Sequence, residues 1–141
     1  MTHSVGEAFF GRKIPFLELL EARAEHREKG RAVVSIDVRQ ELTNSWKFAH
    51  GGVVMTLLDV AMGSAARTTD AQVAGIVTVN LTVSFLRSCS GLLRAEGRVV
   101  RGGRSLVFCE GEVRDASGEM AAMGMGTFRL KRRMEAGDAV K

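Results

Sequence analysis

A single carboxylate, Asp59, lies inside the most apolar stretch of the chain, residues 53–66. Directly before this stretch comes His50-Gly51-Gly52, an unusual helix start because glycine has poor helix propensity. Free N–H groups at a helix start bind anions, and aimed at a carbonyl oxygen they form an oxyanion hole. A poorly solvated carboxylate two turns along can act as general base on water or as nucleophile on a carbonyl. These residue types therefore suit acyl transfer.

Asp59 would share one narrow side of a helix with Gly52, Thr56 and Gly63, because these positions fall within about 60° of one another. Small residues let a ligand or another chain approach the backbone closely. A structural role is the alternative: Asp59 could make a hydrogen bond or a buried ion pair, and His50 could simply cap the helix. No G-x-S-x-G motif and no Ser-His-Asp set is evident in the sequence.

Two patterns define the elements around this site. Residues from about 50 to 67 predict a helix that is apolar on nearly every side and must therefore be enclosed. The stretch "IVTVNLTVSFL" alternates strictly, which predicts a strand. One face of that strand would carry Val77, Val79, Leu81, Val83 and Phe85, and the other would carry Thr78, Asn80, Thr82 and Ser84.

The remaining elements are one short helix and four strands. Pro15 predicts the start of the helix, and Gly30 closes that segment. The strands are "RAVVSIDVRQEL", then "LLRAEGRVVR" and "RSLVFCEGEVRD" joined by a hairpin at Gly102-Gly103, then "EMAAMGMGTFRL". A five-stranded antiparallel sheet curved around the long helix would enclose it, giving an α+β fold. We predict one domain over residues 1–141, with a loose leader at 1–13 and a charged tail at 131–141.

Composition restricts the possible partners. Lys plus Arg number 20 and Asp plus Glu 16, so the net charge of +4 favours an anionic ligand without identifying it. The absence of Tyr and of a helix with a concentrated basic face argues against nucleic acid. Cys89 and Cys109 form no C-x-x-C motif, so we expect two reduced thiols, no metal and no redox cofactor. The longest apolar stretch is too short to span a bilayer, which predicts a cytoplasmic protein without membrane attachment.

The motif N-x5-HGG-x6-D, formed by Asn44, His50, Gly51, Gly52 and Asp59, precedes the segment "TVNLTVSFLR". In this context it resembles the hotdog-fold acyl-CoA thioesterases, most closely the PaaI-type, phenylacetyl-CoA thioesterase-like branch, over roughly residues 14–130. The resemblance implies a hydrolase that converts an acyl-CoA thioester to free acid and CoA without a cofactor. It also implies a homo-oligomer, a dimer or a homotetramer, with active sites between two subunits.

The resemblance assigns a role to each site residue. Asp59 would be the catalytic carboxylate, with Thr78 beside it, and the Gly51 N–H would polarise the thioester carbonyl. Asn44 would support the attacking water or the substrate, and His50 would help to shape the oxyanion site. Asn44 and Gly51 would come from one chain, and Asp59 and Thr78 from its partner.

Substrate contacts are expected at Gly52 and Thr56 on the Asp59 side of the helix, and at Arg104, which matches a basic position near the CoA entrance of the family. The chain departs from the family where Ser88 replaces the proline of a common "FLRP" sequence, and some relatives carry Glu in place of Asp59. The sequence leaves aryl-acetyl, benzoyl-type and medium-chain acyl groups open as alternatives. A catalytically silent acyl-CoA sensor on the same fold is the alternative function.

Overall fold

The fold is one antiparallel sheet around one long helix. A computed structural model of the protein describes residues 9–133. Its elements are α1 (Pro15–Leu20), β1 (Arg23–Glu28), β2 (Arg31–Asp37), a 3-10 turn (Gln40–Leu42), α2 (Gly51–Ala66), β3 (Val73–Phe85), β4 (Leu92–Gly102), β5 (Leu106–Arg114) and β6 (Met120–Arg132). The strand order is β1-β2-β4-β5-β6-β3, and α2 contacts all six strands. The predicted α+β architecture is confirmed.

Helix α2 forms where the apolar stretch predicts it and is enclosed as expected. His50 is its N-cap, Arg67 is its C-cap, and ten of its residues from Val53 onward are buried. Strand β4 approaches the helix at Gly97, where an added Cβ would lie 2.4 Å from the backbone carbon and oxygen of Ala61. Only glycine allows this contact. It fixes the depth of α2 in the sheet, and with it the position of Asp59.

The sheet has six strands rather than five. Helix α1 ends at Glu21, whose φ of 55° lies in the left-handed region. The following segment, to which no strand was assigned from the sequence, pairs antiparallel with β2 as β1. Its sequence RAEHRE contains one apolar residue, so its pairing depends on backbone hydrogen bonds rather than on a hydrophobic pattern. Periodicity therefore could not reveal it.

Strand β3 contains a bulge that the alternating pattern conceals. Its register against β6 shifts between Thr78 and Asn80. An extra residue in one strand reverses the alternation of its side chains. Ile76 and Thr78 face α2 before the bulge, whereas Leu81 and Val83 pack against the core after it.

The bulge overturns part of the predicted assignment of faces. Val77 and Val79, predicted to share a face with Leu81, are 47% and 55% exposed. Thr78, predicted from the alternation to lie on the outer face, points at the helix instead. The prediction is wrong before the bulge because strict alternation assumes an unbroken register.

Parts of the predicted leader and of the predicted tail belong to the folded domain. Phe9 is buried, and it exchanges backbone hydrogen bonds of 2.7 and 3.0 Å with Arg12. Strand β6 continues to Arg132, so part of the predicted tail belongs to the sheet. The rest of the predicted leader and tail, residues 1–8 and 134–141, lies outside the described residues.

Within residues 9–133, no helix combines the length and apolarity that crossing a membrane requires. Cys89 and Cys109 are both buried and free. Burial raises the pKa of the Cys109 thiol to about 12, so this thiol stays protonated and packs as a small apolar group.

Candidate active site

Helix α2 and strand β3 bring a carboxylate and a hydroxyl together. Thr78 Oγ1 donates a hydrogen bond of 2.6 Å to Asp59 Oδ1. Among residues 9–133, Asp59 Oδ2 has no hydrogen-bond partner and no arginine pairs with this carboxylate. The β3 bulge is what turns Thr78 toward the helix. The arrangement leaves one carboxylate oxygen available for chemistry.

Two opposing effects act on the pKa of Asp59. Burial, the larger effect, raises this pKa above its usual value because a half-buried carboxylate loses hydration. The hydrogen bond from Thr78 lowers it, because that bond stabilises the charged form. The net result is a raised pKa, which makes the ionised carboxylate a stronger base than an exposed aspartate.

One N–H group at the start of α2 is left without an acceptor. His50 Nδ1 accepts from the Gly52 N–H at 2.9 Å, and the His50 carbonyl oxygen accepts from Val53 and Val54 at 2.9 and 3.3 Å. In the described part of the chain, the Gly51 N–H has no such partner. His50 therefore caps the helix, which is the structural role that the sequence left open for it. The Gly51 N–H remains as the donor available to a carbonyl oxygen.

Asn44 organises the loop that leads into α2. Its Oδ1 accepts hydrogen bonds from the backbone N–H groups of Trp46 at 2.9 Å and Phe48 at 3.1 Å. The turn also contains Lys47 in the left-handed region, with φ 66°. Asn44 Oδ1 is thus fully used, and only the side-chain Nδ2 can donate to a water or a substrate. An Asn at the head of a tight turn is the sequence signal for this role, because its side chain can accept from backbone N–H groups two residues on.

The small, polar side of α2 is open at one end and closed at the other. Gly52 is exposed, Thr56 and Asp59 are half-buried, and Gly63 is buried against Ile76. Thr56 Oγ1 donates to the Gly52 carbonyl oxygen at 2.8 Å, so its hydroxyl can offer a ligand only acceptor lone pairs. Among the described residues, this side of α2 is therefore more open toward its N-terminal half than toward Gly63.

Gly51 and Asp59 are too far apart to serve one carbonyl group within a single chain. Eight residues separate them on α2, which corresponds to about 12 Å along the helix axis. An oxyanion donor and a base must each lie about 3 Å from the reacting atoms. A site that uses both an oxyanion donor and this carboxylate therefore needs one of the two groups from another part of the assembly, such as a second copy of the chain.

Residues 47–122 match a family model described as the thioesterase superfamily, which covers more than half of the chain. The chain belongs to this superfamily. The predicted hotdog-fold thioesterase is thereby confirmed at the level of fold and family.

Similar proteins and solved structures extend this match. A protein from Saccharolobus solfataricus named "Putative esterase" is 32% identical over 127 residues, covering 89% of this chain and 90% of its own. A thioesterase family protein from Silicibacter pomeroyi superposes with a TM-score of 0.80 at 27% identity, covering 85% of this chain and 91% of the other. The Escherichia coli PaaI protein from the phenylacetic acid degradation operon shares the fold, with a TM-score of 0.76 at 23% identity and coverage of 82% and 83%.

Arg104 lies away from the other site residues of this thioesterase-superfamily chain. It follows β4 in the β4–β5 hairpin, near the C-terminal end of α2, where Gly102 approaches Thr69. Its side chain is exposed, and its carbonyl oxygen accepts from Arg132 Nη2 at 2.7 Å. Within one chain, a ligand that contacts Arg104 would thus do so at a part remote from Gly51.

Phe85 is a further neighbour of the site. The alternation assigned it to the same face of β3 as Leu81 and Val83, and it lies on that side, beside α2, although it is 53% exposed. Its ring carbon lies 3.5 Å from the position that a Cβ on Gly51 would occupy. The ring therefore borders the free N–H. This contact joins the end of β3 to the start of α2 and has no local sequence signal.

Thr78→Val should move the acid limb of the kcat/KM–pH profile for thioester hydrolysis to higher pH. Valine keeps the shape but removes the hydrogen bond that lowers the pKa of Asp59, so that pKa should rise further. Thr78→Ser retains the hydroxyl and should stay near the wild-type profile. An unshifted acid limb in a folded Thr78→Val variant would show that Asp59 does not control this limb.

Proposed function

We propose that this protein hydrolyses an acyl-CoA thioester to a free acid and CoA at a site shared by two subunits. One observation carries the proposal: the residues that bear the free N–H and the free carboxylate oxygen, Gly51 and Asp59, lie about 12 Å apart along the α2 axis within one chain. A second copy of the chain can supply the missing group. Membership of the thioesterase superfamily supports the reaction class.

The Gly51 N–H would donate to the thioester carbonyl oxygen, and Asn44 Nδ2 would hold the attacking water or the substrate. With Asp59 as general base, its Oδ2 takes a proton from water while the hydroxide adds to the carbonyl carbon. The tetrahedral intermediate then expels the CoA thiolate, which receives the proton. With Asp59 as nucleophile, an acyl-aspartyl anhydride forms as the thiolate leaves, and water then hydrolyses this anhydride. Both routes consume one water and give acid plus thiol.

The sheet edge supports assembly through β3. Among the described residues, this 13-residue strand is the last in the sheet order, so one side of its backbone pairs with no other described strand. Long unpaired edges favour pairing with another chain, and the exposed Val77 and Val79 would be covered by it. The outer sheet face also exposes Phe108, Met123 and Met125, which supports a second contact and thus a homotetramer.

Light scattering should show at least a dimer, and Val79→Glu should shift it toward the monomer with loss of turnover. A charge on an edge strand opposes pairing, and a monomer cannot bring Asp59 to the Gly51 of another subunit. Val100→Glu is a matched control, because Val100 is 56% exposed and also lies at a strand irregularity, in β4. A stable monomer with full activity would exclude the shared site.

Arg104→Ala should raise KM for acyl-CoA more than it lowers kcat. A phosphate contact remote from the carbonyl contributes binding that is similar in ground and transition states. The effect should weaken with added salt because the side chain is exposed. Arg94→Ala removes an exposed arginine on β4 and should leave KM unchanged. An unchanged KM in Arg104→Ala at low salt would exclude this contact.

A thiol-release assay over aryl-acetyl-, benzoyl- and medium-chain acyl-CoA tests the proposal directly. Turnover of any of these supports the enzyme and identifies its acyl class. Saturable binding without turnover would instead indicate the acyl-CoA sensor. We further propose a cytoplasmic location, which the two free thiols support because reduced cysteines are typical of that compartment.

A further inference from the structure

Three arginines come from segments near the C-terminal end of α2, and the positive charges of Arg12 and Arg27 act on the Arg67 guanidinium. Arg67 is the C-cap of α2, Arg27 extends from β1, and Arg12 follows the turn at the start of the described chain. Arg12 Nη1 reaches Gly75 in β3, 3.6 Å from where a Cβ would lie. We refer to Arg12, Arg27 and Arg67 as the arginine cluster.

The cluster lacks a partner for its charge in the described part of the protein. Arg67 Nε is buried and makes no hydrogen bond. Burial, and then repulsion from Arg12 and Arg27, lowers the pKa of Arg67 to about 10. The salt bridges among residues 9–133 involve seven other arginines: Arg23, Arg31, Arg39, Arg87, Arg98, Arg114 and Arg132.

The carbonyl groups at the end of α2 do not explain the cluster. Arginines near a helix C-terminus often satisfy its last carbonyls. Here the Ala65 and Ala66 oxygens already accept from Thr68 Oγ1 at 2.6 Å and Thr69 Oγ1 at 2.9 Å. The Gly63 oxygen accepts from the Arg67 backbone N–H at 3.0 Å. Among the described residues, these carbonyl groups therefore do not account for the guanidinium groups of the cluster.

Aromatic contacts hold part of the cluster in position. The Arg27 guanidinium lies over the Phe10 ring, 5.1 Å from its centre, and Phe10 packs edge-on against the buried Phe9 at 5.0 Å. The reciprocal backbone hydrogen bonds between Phe9 and Arg12 anchor the turn that carries Arg12. A cation held over an aromatic ring keeps its edge donors available.

We propose that the arginine cluster is a binding site for a phosphate group. Several guanidinium groups in one place provide paired donors that match phosphate oxygens, together with the charge to hold a dianion. The phosphate could belong to CoA, since Arg67 lies about 12 Å along α2 from Asp59. It could equally be a free phosphate, in which case the site is independent of thioester hydrolysis.

Isothermal titration calorimetry of the full chain with pyrophosphate tests this site, whatever the protein's activity. Arg27→Gln, at an exposed position, should weaken pyrophosphate binding at least about tenfold, and Arg12→Gln should act in the same direction. Arg94→Gln, which removes one exposed charge from β4, should leave binding unchanged. Thermal melts of the same samples verify folding. Absence of saturable binding, or equal weakening by all three substitutions, would overturn the proposal.

Titration of CoA distinguishes the source of the phosphate. If CoA supplies it, CoA and pyrophosphate should compete, and Arg27→Gln should weaken both. If a free phosphate is the ligand, both should bind together and Arg27→Gln should affect pyrophosphate alone. The alternative, that the cluster pairs with a carboxylate of the same chain, is tested at Glu7, which lies outside the described residues. Pyrophosphate binding that appears only in a Glu7→Gln variant would overturn the proposal, because the cluster would then serve the chain's own carboxylate.

Discussion

Asp59→Asn should lower kcat for thioester hydrolysis at least about 100-fold while the protein stays folded. Asparagine has nearly the same shape and can still accept the hydrogen bond from Thr78, so the packing of α2 against β3 should survive. It cannot take a proton from water or attack a carbonyl. General acid–base groups typically contribute about 10²–10⁴-fold, and loss of a covalent route could cost more. Acyl-CoA binding should be retained.

The same substitution should raise the melting temperature at about pH 7. Burial raises the pKa of Asp59 in the folded state, so the folded protein binds this proton more tightly than the unfolded chain does. The stability contributed by the site therefore falls as pH rises through the interval between the unfolded and folded pKa values. Above that interval the ionised carboxylate costs stability that asparagine does not, and below it the advantage of Asp59→Asn should disappear.

Kinetics and a melt of the same sample check both results. Asp37→Asn is the control. Asp37 is an exposed aspartate at the end of β2, and it forms an ion pair of 3.2 Å with Arg23 rather than a contact with α2. It should leave kcat unchanged. A folded Asp59→Asn variant with near-normal kcat would remove Asp59 from the mechanism. A variant whose activity merely follows its folded fraction would make Asp59 structural.

The elements that enclose the site could be predicted where the apolar residues of the sequence are the ones that the fold buries. Helix α2 is apolar on nearly every side, and the residues that depart from this pattern, Thr56 and Asp59, mark the side that the sheet leaves partly open. Strand β1 could not be predicted in this way. Its side chains are mostly charged, and its pairing with β2 depends on backbone groups, which carry no residue-type signal.

In the candidate site, too, the sequence pattern does not predict features that depend on strand pairing or side-chain geometry. Alternation alone put Thr78 on the outer face, and only the family resemblance put it beside Asp59, because the bulge after Thr78 is a property of pairing with β6. Likewise, the motif singles out His50-Gly51-Gly52 but does not say which N–H is free. That depends on the His50 Nδ1 bond to Gly52, a matter of side-chain geometry.

Gly51→Pro should lower kcat about 10²–10³-fold, the usual cost of losing one oxyanion donor, while leaving α2 intact. Gly51 is the first residue of α2, the helical position that tolerates proline best because its N–H has no partner within the helix. His50, with φ −61° and ψ 139°, already has the extended conformation that a residue before proline prefers. The substitution therefore removes the proposed donor with little expected strain.

Gly51→Ala provides the matched control, because alanine retains the N–H and its Cβ would make only ordinary contacts of 3.5 and 3.6 Å with the Phe85 ring. It should stay near wild-type kcat, so that the gap between the two variants isolates the donor from the added bulk. The measurements are kcat, KM and the melting temperature of each variant. If Gly51→Pro is folded and as active as Gly51→Ala, the Gly51 N–H does not polarise the carbonyl. If both variants lose activity equally, crowding beside Phe85 is responsible, and the oxyanion donor must lie elsewhere.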